Sequence, residues 1–216
     1  MAILSDSHAA LLREAQNLQR LERIPEAIRA YQRLLAERPD LAESWFNLGV
    51  LQRKAHELTE ALASYQKALD CGIAGPEEVH LNRSVIYADH LHQEAAAEHE
   101  LQRALALNPH YLPALLNLAD LYEDLGRRAE AGALYKRMLA LDPQCFEALA
   151  RLANTQPLPP ADDHLINGLR SALANPVVSL AARASLGCNY RFNSQLLSPL
   201  LTAPFMGVAA RKSVLA

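Results

Sequence analysis

Residues 43–51, Glu-Ser-Trp-Phe-Asn-Leu-Gly-Val-Leu, return at 113–121 as Pro-Ala-Leu-Leu-Asn-Leu-Ala-Asp-Leu. Each copy spaces large apolar residues three and four apart and sets a small residue, Gly49 or Ala119, two places after an asparagine. That is the pattern of an amphipathic helix with one narrow side. A second phrase follows each copy: Glu60-Ala61 through Tyr65-Gln66-Lys67-Ala68-Leu69, and Glu130-Ala131 through Tyr135-Lys136-Arg137-Met138-Leu139 to Pro143. A further copy stands upstream, Glu26-Ala27 through Tyr31-Gln32-Arg33-Leu34-Leu35 to Pro39, and Tyr31 and Tyr65 are 34 residues apart. Self-similarity at such a period marks a repeat architecture.

These residues resemble the tetratricopeptide-repeat (TPR) family. In it, helix A carries a large apolar residue, Leu-Gly or Leu-Ala, and Tyr, and helix B carries Ala, Tyr or Phe, Ala and Pro. The resemblance implies an all-α fold, a right-handed TPR superhelix (α-solenoid) of about four helical hairpins with C-terminal capping helices. The physical demand is simple: each hairpin has an apolar stripe it cannot bury alone, and stacking buries it. Hairpins are expected at about 8–39, 42–73, 77–109 and 112–143, with a partial fifth helix at 146–154, making 1–154 the solenoid. Gly49, Ala61, Ala68, Ala119 and Ala131 suit close approach of helices A and B, and Trp45, Tyr65, Leu115 and Tyr135 fill the gaps. Gly126 suits a left-handed turn. Asp40 with Glu43 offers a variant capping box. The third hairpin has one extra residue and no glycine between its helices, which predicts a longer inner turn.

Pro157, Pro159 and Pro160 end the fifth helix, so 155–161 reads as a break and 162–187 as capping helices started at Asp162 or Asp163 and Ser179. Residues 188–216 lack acidic residues and a sustained helical period, and read as a poorly packed tail.

Composition excludes several functions. All 24 acidic residues lie at or before Asp163, and the formal net charge is −3. A nucleic-acid binder needs a basic face instead. Cys71, Cys145 and Cys188 are far apart and lack C-x-x-C spacing, which fits free thiols in a reducing compartment. With no apolar leader or run of about 20 apolar residues, a cytoplasmic, non-membrane protein is expected. His80, His90, His92 and His99 read as surface and turn residues, and no metal or cofactor is expected. No catalytic motif stands out.

In the TPR family, helix A lines the concave groove and an asparagine there often bonds a bound peptide's backbone. The resemblance places Asn47, Asn82 and Asn117 in that role, and an amide offers both donors and an acceptor to any extended chain. The same alignment puts Phe46, Val50, Arg53 and Lys54, then Leu81, Val85 and Asp89, then Leu116, Asp120, Glu123 and Asp124 on the groove, passing from basic to acidic. Asp89 departs from the basic pair that a carboxylate-clamping TPR domain carries. A protein or peptide partner is expected, with self-association through the solenoid ends as another use. Residues 78–187 also resemble TPR arrays N-terminal to bacterial sulfotransferase-like domains, which implies a substrate-recruiting arm, although no sulfonucleotide-cradling loop is present.

Overall fold

A computed structural model describes residues 6–155, and among these the regular structure is helical throughout. The expected capping helices, the tail and all but the first residue of the proline-rich break lie outside the described residues. The helices are α1 (Asp6–Arg20), α2 (Ile24–Glu37), α3 (Ala42–Lys54), α4 (Leu58–Asp70), α5 (Pro76–Val85), α6 (Glu94–Leu107), α7 (Leu112–Asp124), α8 (Arg128–Leu141) and α9 (Phe146–Thr155). A π-helical turn, Ile86–His90, extends α5. The chain divides into two compact units at Ala114/Leu115. In the first, α1 pairs with α2, α3 with α4 and α5 with α6, while α2 packs on α3 and α4 on α5. In the second, α9 packs on α8.

Each hairpin turns through one residue in the left-handed region: Glu22 (φ 55°), His56 (φ 61°), His92 (φ 50°) and Gly126 (φ 73°). Only Gly126 occupies it without a side-chain clash. The next residue's N–H then reaches back to close helix A, as in Arg23 to Leu18, Glu57 to Gln52 and Arg127 to Tyr122, where the bond spans five residues. In the third hairpin the bond runs from Gln93 to Tyr87 and spans six. The extra residue is therefore absorbed inside the helix as the π turn, and the inner turn keeps its ordinary length; the longer turn expected from sequence is corrected. The capping box is corrected too. Leu41 is the N-cap of α3 and makes no side-chain cap bond, while both Asp40 oxygens accept from Arg38, at 2.8 and 2.7 Å.

The seam between helices A and B is built from small residues. Ala15 and Ala119 on helix A, and Ala27, Ala61, Ala97 and Ala131 on helix B, are fully buried. Gly49 shows why. A Cβ there would lie 2.8 Å from two ring carbons of Tyr65. Tyr31, Tyr65 and Tyr135 are themselves fully buried, and each spends its hydroxyl on helix A. Tyr31 donates to Gln19 (2.9 Å), Tyr65 to Asn82 (3.5 Å) and Tyr135 to Asp120 (3.1 Å). Burial pushes the Tyr31 and Tyr65 phenols up to about 12, so they stay neutral donors over the working pH range.

The third hairpin replaces apolar core positions with charge. His80 stands in the register of Trp45 and Leu115, Arg83 in that of Leu48 and Leu118, and Glu100 in that of Ala30, Ser64 and Leu134. Glu100 accepts from His80 Nδ1 at 2.6 Å and from Arg83 at 3.0 Å, with all three side chains largely buried. Arg83 also donates to Gln66 on α4 at 2.7 Å, which ties the second hairpin to the third. Burial works to raise the Glu100 carboxyl. The His80 hydrogen bond and the Arg83 and Arg103 charges outweigh it and hold the group below its ordinary 4.5. His80 is thus a core residue, and its reading as a surface or turn histidine is corrected.

Gly49→Leu overpacks the seam and should cost about 1–3 kcal/mol in urea unfolding; Gly49→Ala should cost less, because Ala119 fills the same register. An unchanged midpoint for Gly49→Leu would contradict the close approach. Glu100→Ala strands a buried guanidinium and should cost about 3–5 kcal/mol, whereas the triple change His80→Leu, Arg83→Leu and Glu100→Leu should be neutral or stabilising. Because the folded Glu100 titrates below 4.5, its stabilisation is present above that pH and lost as pH falls through the lower, folded value. Urea midpoints between about pH 7 and about pH 3 should show this component in the natural protein and not in the triple variant.

Candidate functional site

Residues at i, i+1, i+4 and i+7 share one side of a helix. On α3 that side carries Phe46, Asn47, Val50 and Arg53, with Lys54 beside it. Phe46 tilts against Tyr65, ring centroids 5.8 Å apart, and both Phe46 and Val50 pack on the core cluster around Tyr65 while remaining half-buried. On α5 the corresponding side carries Leu81, Asn82 and Val85, also half-buried. Tyr65 joins the two helices, since its ring touches Phe46 and its hydroxyl bonds Asn82. The first unit thereby presents a partly exposed apolar strip with amides set into it. The fold supports the strip from below, so exposing it requires no rearrangement.

The three asparagines differ in what they have left to offer. Asn82 donates to the Glu78 carbonyl at 2.9 Å and accepts from Tyr65, so its amide is engaged within the chain. Asn47 and Asn117, both half-buried, make no side-chain hydrogen bond among the described residues.

The charged positions divide likewise. Arg53 lies beside the Tyr65 phenol, where burial raises that group and the guanidinium opposes the rise. The Arg53 Nε is buried without a hydrogen-bond partner. Lys54 and Asp89 are exposed. In the second unit, Arg151 of α9 reaches Glu123 at 2.9 Å and Asp120 at 3.6 Å. Asp120 and Glu123 are therefore partly neutralised by a cation one repeat further on, while Asp124 stays exposed and Leu116 half-buried. Arg151 stands 34 residues after Asn117, in the asparagine register. Its place in the helical phrase was legible in sequence. Its ion pairs were not, because they depend on which helix A lies beside it.

The remaining chemistry-bearing side chains are dispersed. His90 meets His56 edge to face with ring centroids 5.8 Å apart, His92 forms the turn and His99 is exposed. Among the described residues, no group of three or more His, Cys, Asp and Glu side chains is placed to hold a metal ion. Cys71 is exposed and donates to the Pro39 carbonyl at 3.3 Å. No helix of the described residues is long and apolar enough to cross a membrane. What the A-helix surface can do is hold an extended chain by its backbone and by apolar side chains.

Known proteins agree with this architecture. Sequence profiles of the tetratricopeptide repeat match residues 12–76 and 91–155. Human protein O-mannosyl-transferase TMTC3 is 25% identical over 136 residues, which make up 63% of this chain and 14% of that protein's length. Among solved structures, a tetratricopeptide repeat protein from Parabacteroides merdae superposes with a TM-score of 0.67 at 22% identity, covering 90% of this chain and 77% of that one. MamA gives 0.62 at 17% identity, with 90% and 94% covered. YrrB, described as a TPR protein with an unusual peptide-binding site, gives 0.55 at 18% identity, with 92% and 88% covered. With repeat profiles covering more than half of its length and an all-helical hairpin fold shared with these structures, the chain belongs to the tetratricopeptide-repeat family.

Proposed function

We propose that this protein is a non-catalytic interaction module that holds an extended peptide segment on the groove side of its A helices. The observation carrying this reading is that the half-buried amides of Asn47 in the first unit and Asn117 in the second each make no side-chain hydrogen bond among the described residues, in the same register of two matching repeats. An unspent amide beside apolar side chains can satisfy a ligand's main chain while Phe46, Val50, Leu81 and Val85 cover its side chains. Kinship in fold with a peptide-binding TPR protein supports the class of ligand. It carries no residue-level argument at that identity.

The same observations rank the rivals. End-to-end assembly needs an apolar terminal face. On the first hairpin, Glu14, ion-paired with Arg33 at 2.8 Å, stands in the register of the buried Leu48 and Leu118, so that face is polar there. A substrate-recruiting arm of a sulfotransferase-like enzyme rests on sequence wording alone, and none of the relatives described above is such an enzyme.

The test separates binding from folding. A partner captured by the full chain and reduced to a synthetic segment should bind Asn47→Ala about 3- to 10-fold more weakly in fluorescence anisotropy, with the melting temperature unchanged. Asn82→Ala should instead lower the melting temperature, because Tyr65 loses its acceptor. Equal binding by the Asn47→Ala, Asn82→Ala, Asn117→Ala triple variant would end the peptide-groove reading.

A further inference from the structure

Within the first unit, the cations divide into those the fold uses and those it leaves. Arg23 is paired with Glu26, Arg33 with Glu14, Arg38 with Asp40 and Arg83 with Glu100. Beyond these pairs, Lys67 lies over the Trp45 ring at 4.3 Å, and Arg13, Arg20, Arg29, Arg53, Lys54 and Arg103 form no carboxylate ion pair among the described residues. Three of them gather at the ends of A helices: Arg20, which donates to the Asn17 amide at 2.8 Å, Arg53 and Lys54. These three occupy the last turns of α1 and α3, and Arg20 and Lys54 share one register, 34 residues apart. Stacked hairpins bring equivalent residues side by side.

A basic last turn also complements the helix dipole, which would explain the residues without any ligand. That explanation requires the same charge in every helix A. The third and fourth carry Asp89 and Asp124 in the register of Lys54, so the repeat itself does not demand a base there. The cations are particular to the first two hairpins. On α3, Arg53 shares the helix side of Phe46, Asn47 and Val50, with Lys54 beside it.

We infer that the segment held by this unit carries an acidic side chain beside an apolar one, the apolar residue on Phe46 and Val50 and the carboxylate on Arg53 and Lys54. This rests on the groove reading above and names its ligand chemistry. Val50 and Lys54 are one helical turn apart, about 6 Å of rise, which an extended chain covers in two residues. Residues two apart on an extended chain also point the same way. The recognised pattern is thus apolar, any residue, Asp or Glu. The carboxylate is that of an internal side chain, because the fixed elements of the site are an amide for main chain and a cation pair two residues along.

A random library of peptides about twelve residues long, displayed on phage and selected on the full chain, tests this, with enriched sequences remade as synthetic peptides. Enrichment of the apolar-x-Asp/Glu pattern is expected. Binding should weaken about tenfold in the Arg53→Gln, Lys54→Glu variant and on Glu→Gln in the peptide, and should fall as salt rises; the single Lys54→Glu change, at an exposed side chain, should also weaken binding with the melting temperature held. Amidating the peptide C-terminus should change affinity less than about twofold. Enriched peptides that are basic or uncharged yet lose affinity with Asn47→Ala overturn the acidic ligand and leave the groove reading standing. Dependence on a free C-terminus overturns the internal carboxylate. Peptides indifferent to both sets of substitutions, or no enrichment over an unrelated helical protein, overturn both readings.

Discussion

The fold rests on how closely helix B can approach helix A. At Gly49 the distance from backbone to the Tyr65 ring leaves no room for a side chain to be added without movement, and fully buried alanines fill the matching positions elsewhere. Small residues on one helix and a large ring on the other give the first, second and fourth hairpins a dense seam. The tyrosine hydroxyl must then find a partner in the interior, and in each case it finds one on a helix A. One tight approach thereby fixes the spacing of the hairpin and engages part of the polar chemistry of the A helices. Asn82 is the clearest consequence: its amide is spent on the ring that joins the second hairpin to the third.

The third hairpin keeps this geometry with different materials. It lacks the tyrosine, carrying Leu101 in its register, and its helix A has Ser84 where Gly49 and Ala119 stand. Its interior holds the ion cluster of His80, Arg83 and Glu100 instead. A buried charge cluster is weak evidence for stability, because desolvation offsets most of the attraction. It is selective about partners, however. Arg83 finds acceptors on both α4 and α6, so a shifted stacking of the third hairpin would leave its charge unmatched. The π turn that follows keeps the connection to α6 short despite the added residue.

What could be read from the sequence was whatever repeats. The small residues of the seam and the buried tyrosines recur at similar offsets, so each copy corroborates the others. The fold class followed from them. Features that break the repeat were illegible for a common reason. A count of residues between two phrases shows that one is extra, and cannot say whether it enters a loop or a helix. The histidine pattern 80, 90, 92, 99 looked like a surface cluster, because nothing local announces that Glu100, a residue at an alanine or serine position, faces His80. Asp40 had a cap nearby in sequence and an arginine nearer in space. Arg151 needed its neighbouring helix to reveal what it binds.

The same reasoning separates scaffold from recognition along the A helices. Positions under the seam are nearly invariant in size from repeat to repeat, since a change there alters the stacking of every later hairpin. Positions one residue away are under no such constraint: the register of Lys54 runs Arg20, Lys54, Asp89, Asp124, and the asparagine register ends in Arg151. Packing does not require that variation, and dipole complementarity would oppose half of it. The charge of this register therefore changes sign while the small residues of the seam stay small. Where the repeats disagree inside the core, as at His80, Arg83 and Glu100, the difference is absorbed by stacking; where they disagree on the exposed A-helix ends, as at Lys54, Asp89 and Asp124, packing leaves it unexplained.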